Sequence, residues 1–248
     1  MATTIDGVVA ALDVRITRAL QKGTPLGYFP ALYRKVTLRV KEGIEKGEFA
    51  DGPRMERLDV IFANRYLDAA DALDAGKPAT EAWRLAWDAA VSNRPIVLQH
   101  LMLGMNAHIN LDLGIAAATV APGDALPGLH GDFNRINEIL AALVGGVQND
   151  LAHVWPAFGW FDAVLGTTDE AVANFSMGAA RDSAWAFATR LAPVDEAGRA
   201  ALIAAKDAES AAFGKFLWHP GFAASLALGV VRMTERGSVR QRIRWMQE

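Results

Sequence analysis

Apolar residues recur along this chain at a helical spacing, every third or fourth position, and alternating runs of the strand type are scarce. Ala-rich segments occur where a strand would carry Val, Ile and Thr. The pattern therefore predicts an all-α fold, a bundle of many helices. Helices are predicted near residues 4–22, 28–47, 53–75, 79–92, 94–120, 125–153, 168–192, 195–214 and 221–246.

One predicted helix differs from the others because it is apolar on every side. From Pro95 to Gly123 the chain has no Lys, Arg or Glu, and Asp112 is the only formally charged side chain. A surface helix keeps a polar face, whereas a helix that is apolar all round is buried. We therefore predict a buried central helix near residues 94–120.

The polar side chains of this helix fall on two sides of it. At about 100° per residue, one sector carries His100, His108 and Asp112. A second sector carries Asn106 and Asn110. Because a buried polar group without a partner costs about 1–3 kcal/mol, these groups need other helices, water, a metal or a ligand. The sequence leaves open whether the two sectors face one pocket or two packing interfaces.

His108 and Asp112 stand four residues apart, so their side chains can touch on one face of a helix. A carboxylate orients an imidazole and raises its basicity, and histidine titrates in a useful pH range. We therefore assign His108 as the catalytic acid or base and Asp112 as its catalytic partner. The leading hypothesis is an enzyme of proton-transfer chemistry, such as a cyclase, isomerase or lyase. It would bind a mostly apolar small molecule and use no organic cofactor.

Other polar residues are candidates for binding that substrate. Arg65 lies within an apolar stripe of the helix near 53–75, where a charge needs a counter-charge, and Arg181 has similarly apolar neighbours. Imidazole and amide groups can position a carbonyl or hydroxyl, and Arg65 or Tyr66 can stabilise developing negative charge. The candidate substrate-binding residues are His100, Asn106, Asn110, Asp59, Arg65, Tyr66 and Arg181.

Two alternatives remain open. His100, His108 and Asp112 can bind a divalent metal such as zinc, which would make the protein a metal-dependent hydrolase. The segment His-Ile-Asn-Leu-Asp is similar to a ligand-bearing helix of the zinc phospholipase C and P1 nuclease group, although that group's N-terminal tryptophan ligand is not evident. In the other alternative the protein binds a small molecule without catalysis, and these side chains hold the bundle together.

Composition narrows the choice of partners and location. A net charge of -3 offers no basic footprint for a phosphate backbone, so we expect no nucleic-acid partner. The apolar stretch 222–231 is about half as long as a bilayer requires, so we expect no transmembrane segment. The absence of cysteine fits a reducing compartment, and the first residues lack a secretory pattern. We therefore expect a cytoplasmic protein.

No linker or break in composition divides the 248 residues. We expect one domain over residues 1–248 that can form a homo-oligomer. Its C-terminus is predicted to be a basic helix near 232–246.

Four stretches carry a resemblance to a known family: GYFPALYRKVT, DGPRMERLDVIFANRYLDA, PIVLQHLMLGMNAHINLDLGIAAA and NFSMGAARDSAW. They resemble a largely actinobacterial domain family of unknown function, number 5995. The resemblance covers nearly the whole chain, and Asn-Ala-His-Ile-Asn-Leu-Asp-Leu is its most specific part. It implies a bacterial origin and one domain, and it assigns no catalytic residue. A role in bacterial specialised metabolism is an expectation by analogy of fold and source.

Overall fold

The computed structural model describes residues 1–92, 94–136, 138–139, 153–155 and 177–248. Within these ranges the backbone forms helices and turns and no β-strand, so the predicted all-α bundle is confirmed. The helices are α1 (Ile5–Lys22), α2 (Tyr28–Glu45), α3 (Gly52–Asp74), α4 (Glu81–Ser92), α5 (Val97–Met105), α6 (Gly114–Val120), α7 (Met177–Leu191), α8 (Glu196–Trp218), α9 (Phe222–Thr234) and α10 (Val239–Trp245). A π-helical segment, Asn106–Leu113, joins α5 to α6, and 3₁₀ turns cover Pro25–Gly27 and Gly123–Leu129.

Most predicted helices begin and end within a few residues of the observed ones. The predicted helices near 125–153 and 168–192 lie partly outside the described residues, and the first of them begins as a 3₁₀ turn. The helix predicted near 221–246 is two helices, α9 and α10. The basic C-terminal helix predicted near 232–246 covers the shorter range of α10, and Arg232 lies in α9.

The break between α9 and α10 has local causes. Gly237 has a φ of 77°, a conformation that a side chain would strain, and the Ser238 side chain caps the first turn of α10. Between the two helices, the buried carboxylate of Glu235 pairs with Arg242 at 2.7 Å. The same carboxylate accepts a hydrogen bond from the Val97 backbone N–H at 2.6 Å. These contacts fasten the C-terminal helix to the start of α5.

The continuous run of α5, the π segment and α6 occupies the centre of the bundle. Helices α2, α3, α4, α7 and α8 all pack against this run. Its side chains Leu103, Ala107, Leu111 and Ala117 are at most 1% exposed. The predicted buried central helix is therefore confirmed, with its first turn at Val97. In the part of the chain that the structure describes, no helix has the length and apolar character to cross a bilayer.

The π segment is bounded by two glycines that allow close packing. A Cβ on Gly104 would lie 2.5 Å from Phe29 Cδ2, and a Cβ on Gly114 would lie 2.7 Å from the backbone oxygen of Ala184. Phe29 and α7 therefore approach the central helix more closely than a side chain would allow. Such π insertions are uncommon and occur often at functional sites.

Two aspartates, Asp51 and Asp132, hold the turn at which helix α3 begins. The Asp51 side chain accepts a hydrogen bond from the Arg54 backbone N–H at 2.9 Å. Asp132, which is 4% exposed, accepts hydrogen bonds from the Ala50 and Asp51 N–H groups and from the Arg54 guanidinium. These bonds fix the start of the helix that carries Arg65 to the helical residues 130–136.

Candidate functional site

Asp112 lies in the π segment and is fully buried. Its Oδ1 accepts a hydrogen bond from Arg65 Nε at 3.0 Å, and its Oδ2 accepts one from Trp83 Nε1 at 2.7 Å. Because Arg65 belongs to α3 and Trp83 to α4, one carboxylate joins three helices. A buried carboxylate is tolerated only when such partners offset the loss of hydration.

The imidazole of His108 lies inside a cage of five aromatic rings. It stacks on Phe62 with a centroid distance of 3.5 Å and an interplanar angle of 8°. The other four rings surround it at centroid distances of 4.4 to 6.4 Å. We call the cage the aromatic box; its members are Phe29, Tyr33, Phe62, Tyr66 and Trp83.

The box keeps His108 neutral. Its Nδ1 lies 3.7 Å from Asp112 Oδ2, beyond hydrogen-bond distance, and neither ring nitrogen has a partner among the described residues. Burial lowers the pKa of His108 below its ordinary value of 6.5, although the Asp112 carboxylate acts in the opposite direction. The imidazole therefore keeps one nitrogen lone pair at neutral pH, next to a carboxylate.

Two further polar groups lie beside the box. The hydroxyl of Tyr33 is buried without a hydrogen-bond partner in the described part of the chain, and burial together with Asp59 and Asp112 raises the Tyr33 pKa. Asp59 is 7% exposed, and its Oδ2 also lacks a partner within the described ranges. Burial raises the pKa of Asp59 to about 7, with a smaller contribution from Glu56. Asp59 can therefore hold or release a proton near neutral pH.

A cleft lined by residues of α1 to α5 approaches the box from the surface. Its walls include three members of the box, Phe29, Tyr66 and Trp83, and its buried end is formed by His100 and Gly104. The cleft has a volume of about 70 Å³. Because one water needs about 10–15 Å³ on this scale, the cleft has room for a small organic group. His108 lies on the far side of the shared aromatic walls.

The structure brings together four of the residues that the sequence predicts to be catalytic or substrate-binding. His108 and Asp112 lie side by side, Arg65 binds Asp112, and Tyr66 is a wall of the box. Asp59 adjoins the group through Tyr33. Their assignment as catalytic and substrate-binding residues remains a prediction.

His100 does not lie with His108 and Asp112, contrary to the predicted shared sector. At 1.5 Å per residue, eight residues separate the two histidines by about 12 Å along the helix axis. The ring of His100 instead contacts Tyr28 at a centroid distance of 5.6 Å.

The predicted metal triad of His100, His108 and Asp112 is therefore not formed. Among the described residues, no three His, Asp or Glu side chains come together in a way that could hold a metal ion. The remaining histidines lie elsewhere: His130 against Trp185, His153 against Trp245 and His219 against Trp218.

The second polar sector faces a different interface. Asn106 Nδ2 donates to the backbone oxygen of Ser210 at 2.7 Å, and Asn110 Nδ2 donates to Asn106 Oδ1 at 2.8 Å. Ser210 belongs to α8, so these amides join the central helix to α8. The two polar sectors thus face two separate interfaces.

Arg181 also lies away from the box. Its Nη2 donates to the backbone oxygen of Phe133 at 2.6 Å, and its guanidinium lies over the Phe133 ring at 4.4 Å. Burial lowers the pKa of Arg181 to about 10. The side chain joins α7 to the helical residues 130–136.

Four members of the aromatic box were not among the candidates from the sequence: Phe29, Tyr33, Phe62 and Trp83. Contact between Trp83 and Asp112 could have been predicted. A buried indole N–H needs an acceptor, and Asp112 is the only charged acceptor on the predicted buried helix. The position of Phe29 in the box could not have been predicted, because it depends on the close approach of its ring to Gly104 in another helix.

The fold and site define an all-α protein with a buried polar pair in an aromatic cage on its central helix. A family model described as a family of unknown function, DUF5995, matches residues 5–220. The chain belongs to this family, and the resemblance inferred from its sequence is confirmed. Comparison with curated proteins and with solved structures gives no match.

Asp112→Asn tests the anchoring role of the carboxylate. An amide offers one acceptor oxygen, so either the Arg65 or the Trp83 N–H then faces another donor. We expect the free energy of unfolding to fall by about 2–4 kcal/mol, measured by urea denaturation. The exposed aspartate Asp68, changed to Asn, is the control and should stay within about 0.5 kcal/mol of wild type. Equal stability of the two variants would contradict the anchoring role.

Asp59→Asn tests the raised pKa of the buried carboxyl. The pKa of Asp59 rises from 3.8 to about 7 on folding, so the unfolded chain loses its proton first and wild-type stability falls as pH rises between these values. The asparagine side chain does not titrate, so the stability of the variant does not fall for this reason. Its stability relative to wild type should therefore rise by about 2–3 kcal/mol between pH 5 and pH 8.5. Urea denaturation at both pH values measures the change; a constant difference would exclude a raised pKa.

Proposed function

We propose that the protein is an enzyme that acts on a small, mostly apolar molecule by proton transfer, without an organic cofactor. His108 is the acid or base, and Asp112 orients it. The reactions in view are isomerisation, cyclisation and elimination, which need no oxidant or reductant. Bacterial specialised metabolism is the setting we propose.

One observation carries this proposal: among the described residues the Asp112 carboxylate has two hydrogen-bond donors, while the imidazole beside it has no hydrogen-bond partner. Arg65 and Trp83 bind Asp112, whereas both nitrogens of His108 lack hydrogen bonds within the described residues. An unpartnered buried polar group costs about 1–3 kcal/mol. Packing alone would favour a phenyl ring at this position, so the retained imidazole supports a chemical role.

The geometry suits a proton-transfer pair. A proton on Nδ1 would point toward Asp112, which leaves the lone pair of Nε2 for the substrate. The 3.7 Å separation of Nδ1 and Oδ2 can shorten when a substrate binds, as is common for catalytic hydrogen bonds. Arg65 keeps the carboxylate in place, and Asp59 offers a second titratable group near the box.

In our proposal the substrate reaches His108 through the cleft. Phe29, Tyr66 and Trp83 each have contact with both the cleft and His108. In our proposal, displacement of the Phe29 ring opens the buried end of the cleft to His108.

A second candidate is a small-molecule-binding protein without catalysis. The observation that favours it is the closed wall between the cleft and His108, since a ligand in the cleft would touch the box only from outside. The two candidates differ in the role of His108, which catalysis requires and binding does not.

His108→Phe separates them. The phenyl ring keeps the packing of the box and removes two unpartnered nitrogens, so we expect the free energy of unfolding to rise by about 1–2 kcal/mol. To measure activity, a small-molecule extract of the source organism is incubated with each protein in D₂O. Mass spectrometry should find compounds that gain deuterium with wild type at least about tenfold faster than with the variant.

His219→Gln, a change at an exposed histidine, is the control and should match wild type in stability and deuterium transfer. A stable His108→Phe protein with unchanged deuterium transfer would contradict the catalytic role. Absence of any deuterium transfer with wild type would favour the binding protein.

A further inference from the structure

His100 is a buried polar group that the acid-base pair does not use. The residue lines the inner end of the cleft and is 6% exposed, and neither ring nitrogen has a hydrogen-bond partner in the described part of the chain. Burial and the charge of Arg232 lower its pKa to about 3, so the imidazole is neutral at physiological pH. A neutral imidazole offers one donor and one acceptor to a ligand.

The walls of the cleft are flat and apolar. Phe29, Tyr66, Trp83 and Trp87 line it together with small aliphatic side chains. Phe29 lies edge-on to Trp83 at a centroid distance of 5.4 Å, and Tyr66 is tilted against Trp83 at 5.1 Å. Such walls favour an aromatic ring or a short apolar chain over a sugar.

The mouth of the cleft is positively charged. Arg15, Arg18 and Lys22 line it against a single lining carboxylate, Asp74. Arg15 is held by Asp71 and by the backbone oxygen of Leu67, and its side chain is only 12% exposed. The side chain of Arg18 is 50% exposed and lies 3.0 Å from Asp74, which leaves donors for a ligand.

We propose that the cleft binds a small aromatic carboxylic acid that carries a second polar group. The ring packs against the cleft side of Phe29, Trp83 and Trp87, the carboxylate binds Arg18 and Lys22, and a hydroxyl or carbonyl at the other end bonds to His100. The charge at the mouth favours an anion, and Asp74 disfavours a doubly charged phosphate. This inference names the substrate class of the proposed function and rests on it for catalysis, whereas binding is measured separately.

The probes are 4-hydroxyphenylacetate, its neutral amide and phenylacetate, which lacks the hydroxyl. Saturation-transfer NMR and calorimetry should give the hydroxy acid a Kd below about 1 mM with wild type. The amide should bind at least about fivefold more weakly, because it lacks the charge, and phenylacetate at least about threefold more weakly, because it leaves His100 unpaired.

Variants assign each preference to a residue. Arg18→Gln with Lys22→Gln changes two exposed side chains and should abolish the preference for the acid over the amide. His100→Leu should abolish the preference for the hydroxyl while keeping the preference for charge. Lys46→Gln with Lys215→Gln removes the same charge from exposed positions outside the cleft and should change neither preference. Circular dichroism and thermal unfolding verify that each variant folds.

Each outcome decides the inference. No binding at about 10 mM probe, equal affinity for acid and amide, or an unchanged preference in the double variant at the mouth would overturn it. If the acid fails to bind while His108-dependent deuterium transfer is found, the ligand class is wrong and the proposed function stands. If the acid binds as predicted and no transfer is found, the binding site stands and the proposed catalysis fails.

Discussion

The centre of this fold depends on the interaction of one buried carboxylate with two donors. Asp112 binds Arg65 from α3 and Trp83 from α4, and so ties the central helix to both neighbours. A charge in the interior is tolerated only with such partners. The three helices therefore have to pack so that Arg65 and Trp83 both reach the carboxylate. The same contacts hold Asp112 beside His108, with Oδ2 of the carboxylate 3.7 Å from Nδ1 of the imidazole.

The π segment gives this interaction its setting. Gly104 and Gly114 stand just outside its ends, where Phe29 and α7 come too close for a side chain. Insertion of a π turn interrupts the regular helical bonding over Asn106–Leu113, and the polar residues of the central helix are concentrated there. Irregular backbone, a buried ion pair and, within the described residues, an imidazole without a hydrogen bond thus occur together in this segment, and such π insertions are frequent at functional sites.

Much of the architecture followed from the sequence because its signals are local. The helical period, and the lack of Lys, Arg and Glu around Asp112, sufficed to predict an all-α bundle with this helix at its centre. The need of Arg65 for a counter-charge followed from its place in an apolar stripe, and the structure shows that Asp112 provides it. The predicted grouping of His100 with His108 failed because an angular sector ignores the distance along the helix.

Other features depend on contacts between distant segments and left no local trace. Asn106 and Asn110 looked like ligands for a small molecule, yet their partners are each other and a backbone oxygen of α8. The break before α10 was missed because the apolar and basic residues on its two sides continue a helical period, while Gly237 and Ser238 end it locally. The cleft is lined by residues of five helices, α1 to α5, so no single sequence motif marks it.

The most direct test is ¹⁵N NMR of the imidazole nitrogens, with the signals of His108 assigned among the five histidines by His108→Phe. Our account predicts a neutral ring with its proton on Nδ1, toward Asp112, and a pKa below the ordinary 6.5 that falls further in Asp112→Asn. A proton on Nε2 would show that Asp112 does not orient the ring, and a titration midpoint at or above 6.5 would show that burial in the box does not keep His108 neutral.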